Sequence, residues 1–159
     1  VIDLDPGSPA GLHECAQLAL LVRERLERIG LTAAPVTSGS KGMQLYAGLP
    51  GEQDSDTIRD VAREIAQDLT RVRPELVLWK MTKSLRPGKV LLDWSQNAAS
   101  KTTITPYSLR GKDAPFVAAP LTWAEVERGA ERRDSLSQLD MDDVLARVAR
   151  DGDLFAAAL

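Results

Sequence analysis

Two stretches of helical periodicity, each set between short apolar strands, constrain this chain most. In the first, Leu12, Ala16, Ala19, Leu20, Val22, Leu26 and Ile29 recur at the spacing that lines one helix face, and Gly30 stops the run. Ser8-Pro9 reads as its start, a capping hydroxyl followed by proline in the first turn. In the second, Ile58, Val61, Ala62, Ile65, Ala66, Leu69 and Val72 follow a cap at Asp54 or Ser55, and Pro74 ends the helix. Apolar strands are expected at 1–5, 34–37, 43–47, 76–81 and 90–94. The polar turn Ser38-Gly39-Ser40-Lys41-Gly42 joins the second and third as a hairpin.

The resulting order is β-α-β-β-α-β, then an extra strand. It predicts an α+β fold of the ferredoxin-like or RNA-recognition-like type, with two helices on one face of a sheet. Residues 1–97 would form this core. Residues 98–159 would pack on it as an extension, with extended chain at 102–107 and short surface helices at 122–127 and 140–150. At 159 residues the chain reads as one domain. It opens inside a strand with no initiator Met, so a fragment of a longer polypeptide is expected.

Charge and composition exclude some function classes. The net charge of -3 rules out a globally cationic nucleic-acid binder, so a polyanion must be held by a local patch or through metal ions. A single cysteine, Cys15, forms no internal disulfide and suits a reducing cytoplasm. No apolar run approaches the roughly 20 residues that span a bilayer.

Within the first strand, Asp3 and Asp5 are two residues apart and share one face. Like charges so placed repel, and burying them unpaired is costly. A third acid, Asp93, ends another apolar strand, Val90-Leu91-Leu92-Asp93-Trp94. If both strands belong to one sheet, three carboxylates can converge. Hard divalent cations take oxygen ligands, and two ions about 3.5–4 Å apart can clamp a phosphoryl displacement. Carboxylates without neighbouring His or Cys favour Mg²⁺ or Mn²⁺ over zinc. The alternative is a solvated pair at a sheet edge.

Ser38 to Gly42 has the composition of a phosphate cradle: glycines that let backbone N–H groups approach an anion, hydroxyls and an ammonium. It is not a Walker A loop, because the spacing differs and a strand follows it. Taken alone, it is also an ordinary hairpin turn with a solvated lysine. From Lys80 to Lys112 there are seven basic residues (Lys80, Lys83, Arg86, Lys89, Lys101, Arg110, Lys112) against one acid, Asp93. Such a patch is the expected footprint of phosphate binding; a solvated charged loop is the commoner case, but the asymmetry and the Asp93 inside it argue against that here. Ser95, Gln96, Asn97, Ser100, Thr102 and Thr103 add donors suited to ribose and phosphate. His13 is the only histidine, so no Ser-His or Cys-His pair exists; it is expected on a helix surface without a role. Cys15 and the three tryptophans read as packing groups.

Together, D-L-D-P-G, S-G-S-K-G, M-T-K-S-L-R and V-L-L-D-W-S-Q-N, in that order over residues 1–112, resemble the archaeo-eukaryotic primase superfamily. The nearest likeness is to the polymerase domain of bacterial ATP-dependent DNA ligase D and to stand-alone primase-polymerases. The terminal A-R-D-G-D-L-F resembles the same family. The likeness implies Asp3, Asp5 and Asp93 as catalytic metal ligands for two Mn²⁺ or Mg²⁺ ions. It implies that Ser38, Gly39, Lys41, Gly42, Gln44, Gln96 and Arg110 bind the nucleotide. Lys83, Arg86 and Lys101 would contact primer or template, with Lys83 and Arg86 on a mobile loop.

The implied reaction is addition of nucleoside triphosphates to a primer 3′ end, in gap filling and end joining of DNA, with Ku and a ligase as partners. The implied location is the bacterial cytoplasm, on DNA. Two departures stand out. The family places His where this chain has Gln44, and it carries an N-terminal module before the D-x-D strand. Two other readings remain open: a core that binds nucleotide or DNA without turnover, and a D-x-D phosphohydrolase of the haloacid dehalogenase type. The second normally has a small hydroxyl or valine two residues after the second Asp, a position that Gly7 occupies here.

Overall fold

Alternation sorts the first strand into two chemically opposite faces. Ile2 and Leu4 are buried, whereas Asp3 and Asp5 point the other way and are only half-buried. The computed structural model describes residues 1–111 and 115–156. Its elements run β1 (Ile2–Pro6), α1 (Leu12–Arg28), β2 (Ala33–Thr37), β3 (Met43–Ala47), α2 (Ser55–Val72), β4 (Val77–Leu78), β5 (Val90–Asp93), α3 (Trp123–Glu131) and α4 (Met141–Asp151). Short 3-10 turns occupy Lys83–Leu85 and Trp94–Asn97.

The five strands form one mixed sheet in the order β2-β3-β1-β5-β4. Neighbours are antiparallel except β4 and β5, which are parallel. The α+β class is therefore as expected. The extra strand is present as well: β5, the last in sequence, lies beside β1, and β4 forms the edge. Only Val77 and Leu78 of the expected 76–81 strand pair, and the 90–94 strand ends at Asp93. Trp94 leaves the ladder, and its indole N–H donates to the Trp79 carbonyl (3.1 Å).

Helices α1 and α2 cover one face of the sheet. Cys15, Ala16, Ala19 and Val22 of α1, with Ala62, Ala66 and Leu69 of α2, enclose Leu4, Leu45, Val77, Val90 and Leu92. Each fully buried Leu or Val contributes roughly 1.5–3 kcal/mol. Asp54 caps α2, its carboxylate accepting from the Thr57 N–H (2.8 Å). Gly30, at φ +79°, ends α1 in a left-handed turn.

The expected start of α1 at Ser8-Pro9 is corrected. The helix begins at Leu12 after Gly11, and Glu14 accepts from the Gly11 N–H (2.7 Å). The carbonyls of Gly7 and Ser8 instead accept from the Gly88 N–H (2.9 and 3.2 Å), which ties this corner to the β4–β5 connection.

The C-terminal segment is woven into the fold. Residues 102–107 form no strand, but Thr37 N–H donates to the Ala119 carbonyl (2.8 Å) and Leu121 N–H to that of Pro35 (2.8 Å). Helix α3 is not a surface helix: Val126 is fully buried in the main core. His13 joins α1 to α3, with Nδ1 2.8 Å from the Gly129 carbonyl oxygen and Nε2 3.1 Å from the Gln17 amide nitrogen. Among the described residues no helix is long and apolar enough to cross a membrane.

Candidate active site

The sheet face opposite the helices carries the acids. Asp3 on central β1 stands directly opposite Asp93 on β5, and Asp5 lies two residues further along the same face. Burial pushes the Asp3 carboxyl up to about 6, and the neighbouring charges of Asp93 and Asp5 push the same way. A hydrogen bond from Gln44 and the charge of Arg110 oppose that rise. Bare, this cluster is electrostatically unfavourable, which is the condition a bound cation relieves.

Each carboxylate is held differently. Asp3 Oδ1 accepts from the Gln44 amide (3.0 Å). Asp93 Oδ1 accepts from the backbone N–H and the hydroxyl of Ser95 (2.9 and 2.6 Å). Asp5 lies between two cations, with Lys41 Nζ 3.2 Å from Oδ1 and Arg86 Nη1 3.2 Å from Oδ2. Among the described residues no group of three or more His, Cys, Asp or Glu side chains stands ready-made around a metal position. The donor set nevertheless fits a hard divalent ion: every candidate ligand atom is a carboxylate oxygen. The positive charge already gathered on Asp5 is the kind of charge that a metal would supply. A metal ion at Asp5 would compete with Lys41 and Arg86 for these oxygens.

The Ser38–Gly42 loop adjoins this cluster. Its conformation is over-determined. Ser38 Oγ accepts from the N–H groups of Ser40 and Gly42 (3.3 and 3.1 Å). Gly39 sits at φ +67°, where a side chain is strained. A Cβ on Gly42 would collide with the Leu4 carbonyl oxygen. Two side chains from the C-terminal segment hold the loop's carbonyls: Arg110 Nη1 donates to Ser38 O and the Gln138 amide to Gly42 O, both at 3.0 Å. Lys41 and Arg110 thus put two cations beside a glycine loop and next to three acids.

A family model of the LigD primase-polymerase domain matches residues 1–155. The chain belongs to the LigD primase-polymerase family. It is 53% identical over 154 residues to the multifunctional non-homologous end joining DNA repair protein LigD of Mycobacterium tuberculosis, covering 97% of this chain and 20% of that protein. It is 36% identical over 153 residues to the bifunctional non-homologous end joining protein LigD of Bacillus subtilis, covering 96% of this chain and 24% of that one. The solved polymerase domain of Mycobacterium tuberculosis ligase D, in complex with DNA, superposes with a TM-score of 0.91 at 51% identity. That match covers 99% of this chain and 53% of the solved one. The chain therefore spans about a fifth of the length of the LigD proteins it matches.

Within this family fold, the structure gathers Asp3, Asp5, Asp93, Lys41, Gln44, Arg86, Arg110 and the Ser38–Gly42 loop at one place. Other expected contacts are exposed or are already used within the protein. The Gln96 amide donates to the Thr102 carbonyl and the Thr103 hydroxyl (2.7 and 3.0 Å). Asn97 binds the N-terminal ammonium and carbonyl of Val1, both at 2.7 Å. Lys83 and Lys101 are exposed, and Lys112 lies outside the described residues.

Two contributors escaped the sequence reading: Tyr46, which backs Gln44, and Gln138, which braces the loop. Ser95, expected as a ribose or phosphate donor, donates to Asp93. The position of Tyr46, two residues after Gln44 on a strand, was a usable signal for a shared face. Gln138 lies 96 residues from its partner and carried none.

Proposed function

We propose that this chain is the core of a metal-dependent nucleotidyltransferase that extends a primer 3′ end with nucleoside triphosphates during gap filling and end joining of DNA breaks. The observation that carries the reading is the direct opposition of Asp3 and Asp93, with Asp5 on the same face, beside a glycine loop flanked by Lys41 and Arg110. Family membership supports the same reaction class.

Asp3, Asp5 and Asp93 would hold Mn²⁺ or Mg²⁺, which when bound lowers the pKa of a hydroxyl and neutralises charge on a leaving pyrophosphate. The chain's own residues bind and orient the substrates. The Ser38–Gly42 loop, Lys41 and Arg110 hold the triphosphate. Arg86, released from Asp5, provides a cation for the primer or nucleotide phosphates, and Lys83 and Lys101 extend that positive surface. No protein nucleophile is required, because the work is positioning and charge stabilisation.

DNA ends and nucleoside triphosphates are the substrates on this reading, Ku and a DNA ligase the partners, and the bacterial cytoplasm the location. The test is primer extension with Mn²⁺ by the wild-type chain and by Asp93→Ala. Extension is expected for the first and a loss of at least a hundredfold for the second, on the order of removing a principal electrostatic group. Equal extension by both proteins would overturn the assignment.

A further inference from the structure

Gln44 faces Asp3 directly in the β1–β3 ladder, so the two side chains rise from the same side of the sheet. Its amide nitrogen donates to Asp3 Oδ1 (3.0 Å), and its amide oxygen lies 2.8 Å from the Tyr46 hydroxyl. Gln44 is only 4% exposed, and both polar ends are engaged inside the protein. Tyr46 is fixed in turn: its hydroxyl lies 2.7 Å from the Ile104 carbonyl oxygen, and its ring meets Phe155 edge-on with centroids 5.4 Å apart.

The polarity of this chain of contacts follows from donor counts. An ionised Asp3 has only acceptors, so the amide must present its nitrogen to it. That leaves Oε1 facing Tyr46, whose single hydroxyl proton is drawn to it although the Ile104 carbonyl is also in reach. Without the anchor, Asp3 would turn away from the like charge of Asp93 directly opposite. With it, Oδ1 is held and Oδ2 remains for a cation. We infer that Gln44 is a positioning residue for the metal ligand Asp3, with Tyr46 acting through Gln44. This rests on the reading of Asp3, Asp5 and Asp93 as metal ligands, and it gives Gln44 a role other than nucleotide contact.

The experiment is a Mn²⁺ titration, read by the paramagnetic resonance of free Mn²⁺, on the wild type, Gln44→Met, Gln44→His, Tyr46→Phe and the Gln44→Met/Tyr46→Phe double variant. Thermal midpoints are measured alongside. Loss of the outer partner of a ligating carboxylate weakens metal binding by about 10- to 100-fold, which is expected for Gln44→Met. Tyr46→Phe, which keeps the ring against Phe155, costs about two- to tenfold, the equivalent of one hydrogen bond. In the Gln44→Met background the Tyr46→Phe change adds nothing, because its effect passes through Gln44. Gln44→His retains an N–H donor and binds close to wild type.

Wild-type affinity in a folded Gln44→Met variant overturns the inference, as do fully additive losses in the double variant. Should Gln44→Met not fold, Tyr46→Phe and Gln44→His decide: weakened binding in the first and near-normal binding in the second are expected, and the reverse overturns it. A wild-type chain that binds no Mn²⁺ overturns the underlying metal reading itself, and that failure is visible without any variant.

Discussion

Arg86 and Asp5 close an ion pair at 3.2 Å, on the opposite carboxylate oxygen from the one that Lys41 holds at the same distance. Both oxygens of a candidate metal ligand are therefore covered by protein cations. A metal ion entering at Asp5 competes with these contacts. Exposed or half-exposed ion pairs are worth about 0–1 kcal/mol, so the competition is modest. Arg86→Met is expected to bind Mn²⁺ up to about fivefold more tightly than wild type in the absence of nucleotide. Unchanged or weaker Mn²⁺ affinity in the same titration would show that Arg86 does not compete for Asp5.

Gly42 is the loop position with the least room. Its backbone lies against the Leu4 carbonyl, one residue from Asp5. Gly42→Ala has to shift either the loop or β1, at a cost of order 1–3 kcal/mol. For a domain of this size that lowers the thermal midpoint by roughly 2–4 °C per kcal/mol. Gly51, where an added Cβ meets nothing but where φ is +69°, provides a control remote from the site. Gly51→Ala is expected to destabilise the fold without changing nucleotide binding. Gly42→Ala is expected to impair both, as read by calorimetry with a nucleoside triphosphate. Normal triphosphate binding by a folded Gly42→Ala variant would remove the loop from the site.

How far the sequence led depended on the range of the interaction. Period-two alternation in β1 and the three-to-four spacing in α1 and α2 are local, and they put Asp3 and Asp5 on one shared face and both helices on one face of the sheet. The Ser38–Gly42 turn was also local, and it sits where the hairpin predicts. The pairing of β5 with β1, which leaves β4 at the edge, joins residues 84–90 positions apart and had no local signature. Polar residues were ambiguous for a related reason. Asn97 and Gln96 have the chemistry of ligand donors, yet their partners are Val1 and the 102–103 segment. A polar side chain announces a hydrogen bond but not its partner.

Gln138 illustrates that same limit and yields a prediction. Its amide braces the Gly42 carbonyl from the far end of the chain, and that carbonyl also accepts from the Ser38 N–H (3.0 Å). The loop keeps its own closing bond when Gln138 is replaced, so the change loosens it without unfolding it. Gln138→Leu is expected to weaken triphosphate binding by about two- to tenfold, the worth of one hydrogen bond, and to move the thermal midpoint little. A large drop in stability at unchanged triphosphate affinity would mark Gln138 as a packing residue only.

The ion pair between Glu125 and Arg147 ties α3 to α4 and sets an acid limit on stability. Burial alone would raise the Glu125 carboxyl, but the Arg147 guanidinium and the N–H and hydroxyl of Thr122 outweigh it and hold the group below its ordinary value of 4.5. A carboxyl with a depressed folded-state pKa binds fewer protons folded than unfolded, so stability rises with pH between the folded and unfolded values. Its contribution is complete above about 4.5 and is lost as pH falls through the lower, folded value. Glu125→Gln removes that term. The variant is expected to be less stable than wild type at neutral pH, and the gap is expected to narrow progressively below pH 4.5 in urea titrations at stepped pH. A constant gap across that range would mean that the contribution of Glu125 comes from packing and neutral hydrogen bonds, with its charge immaterial.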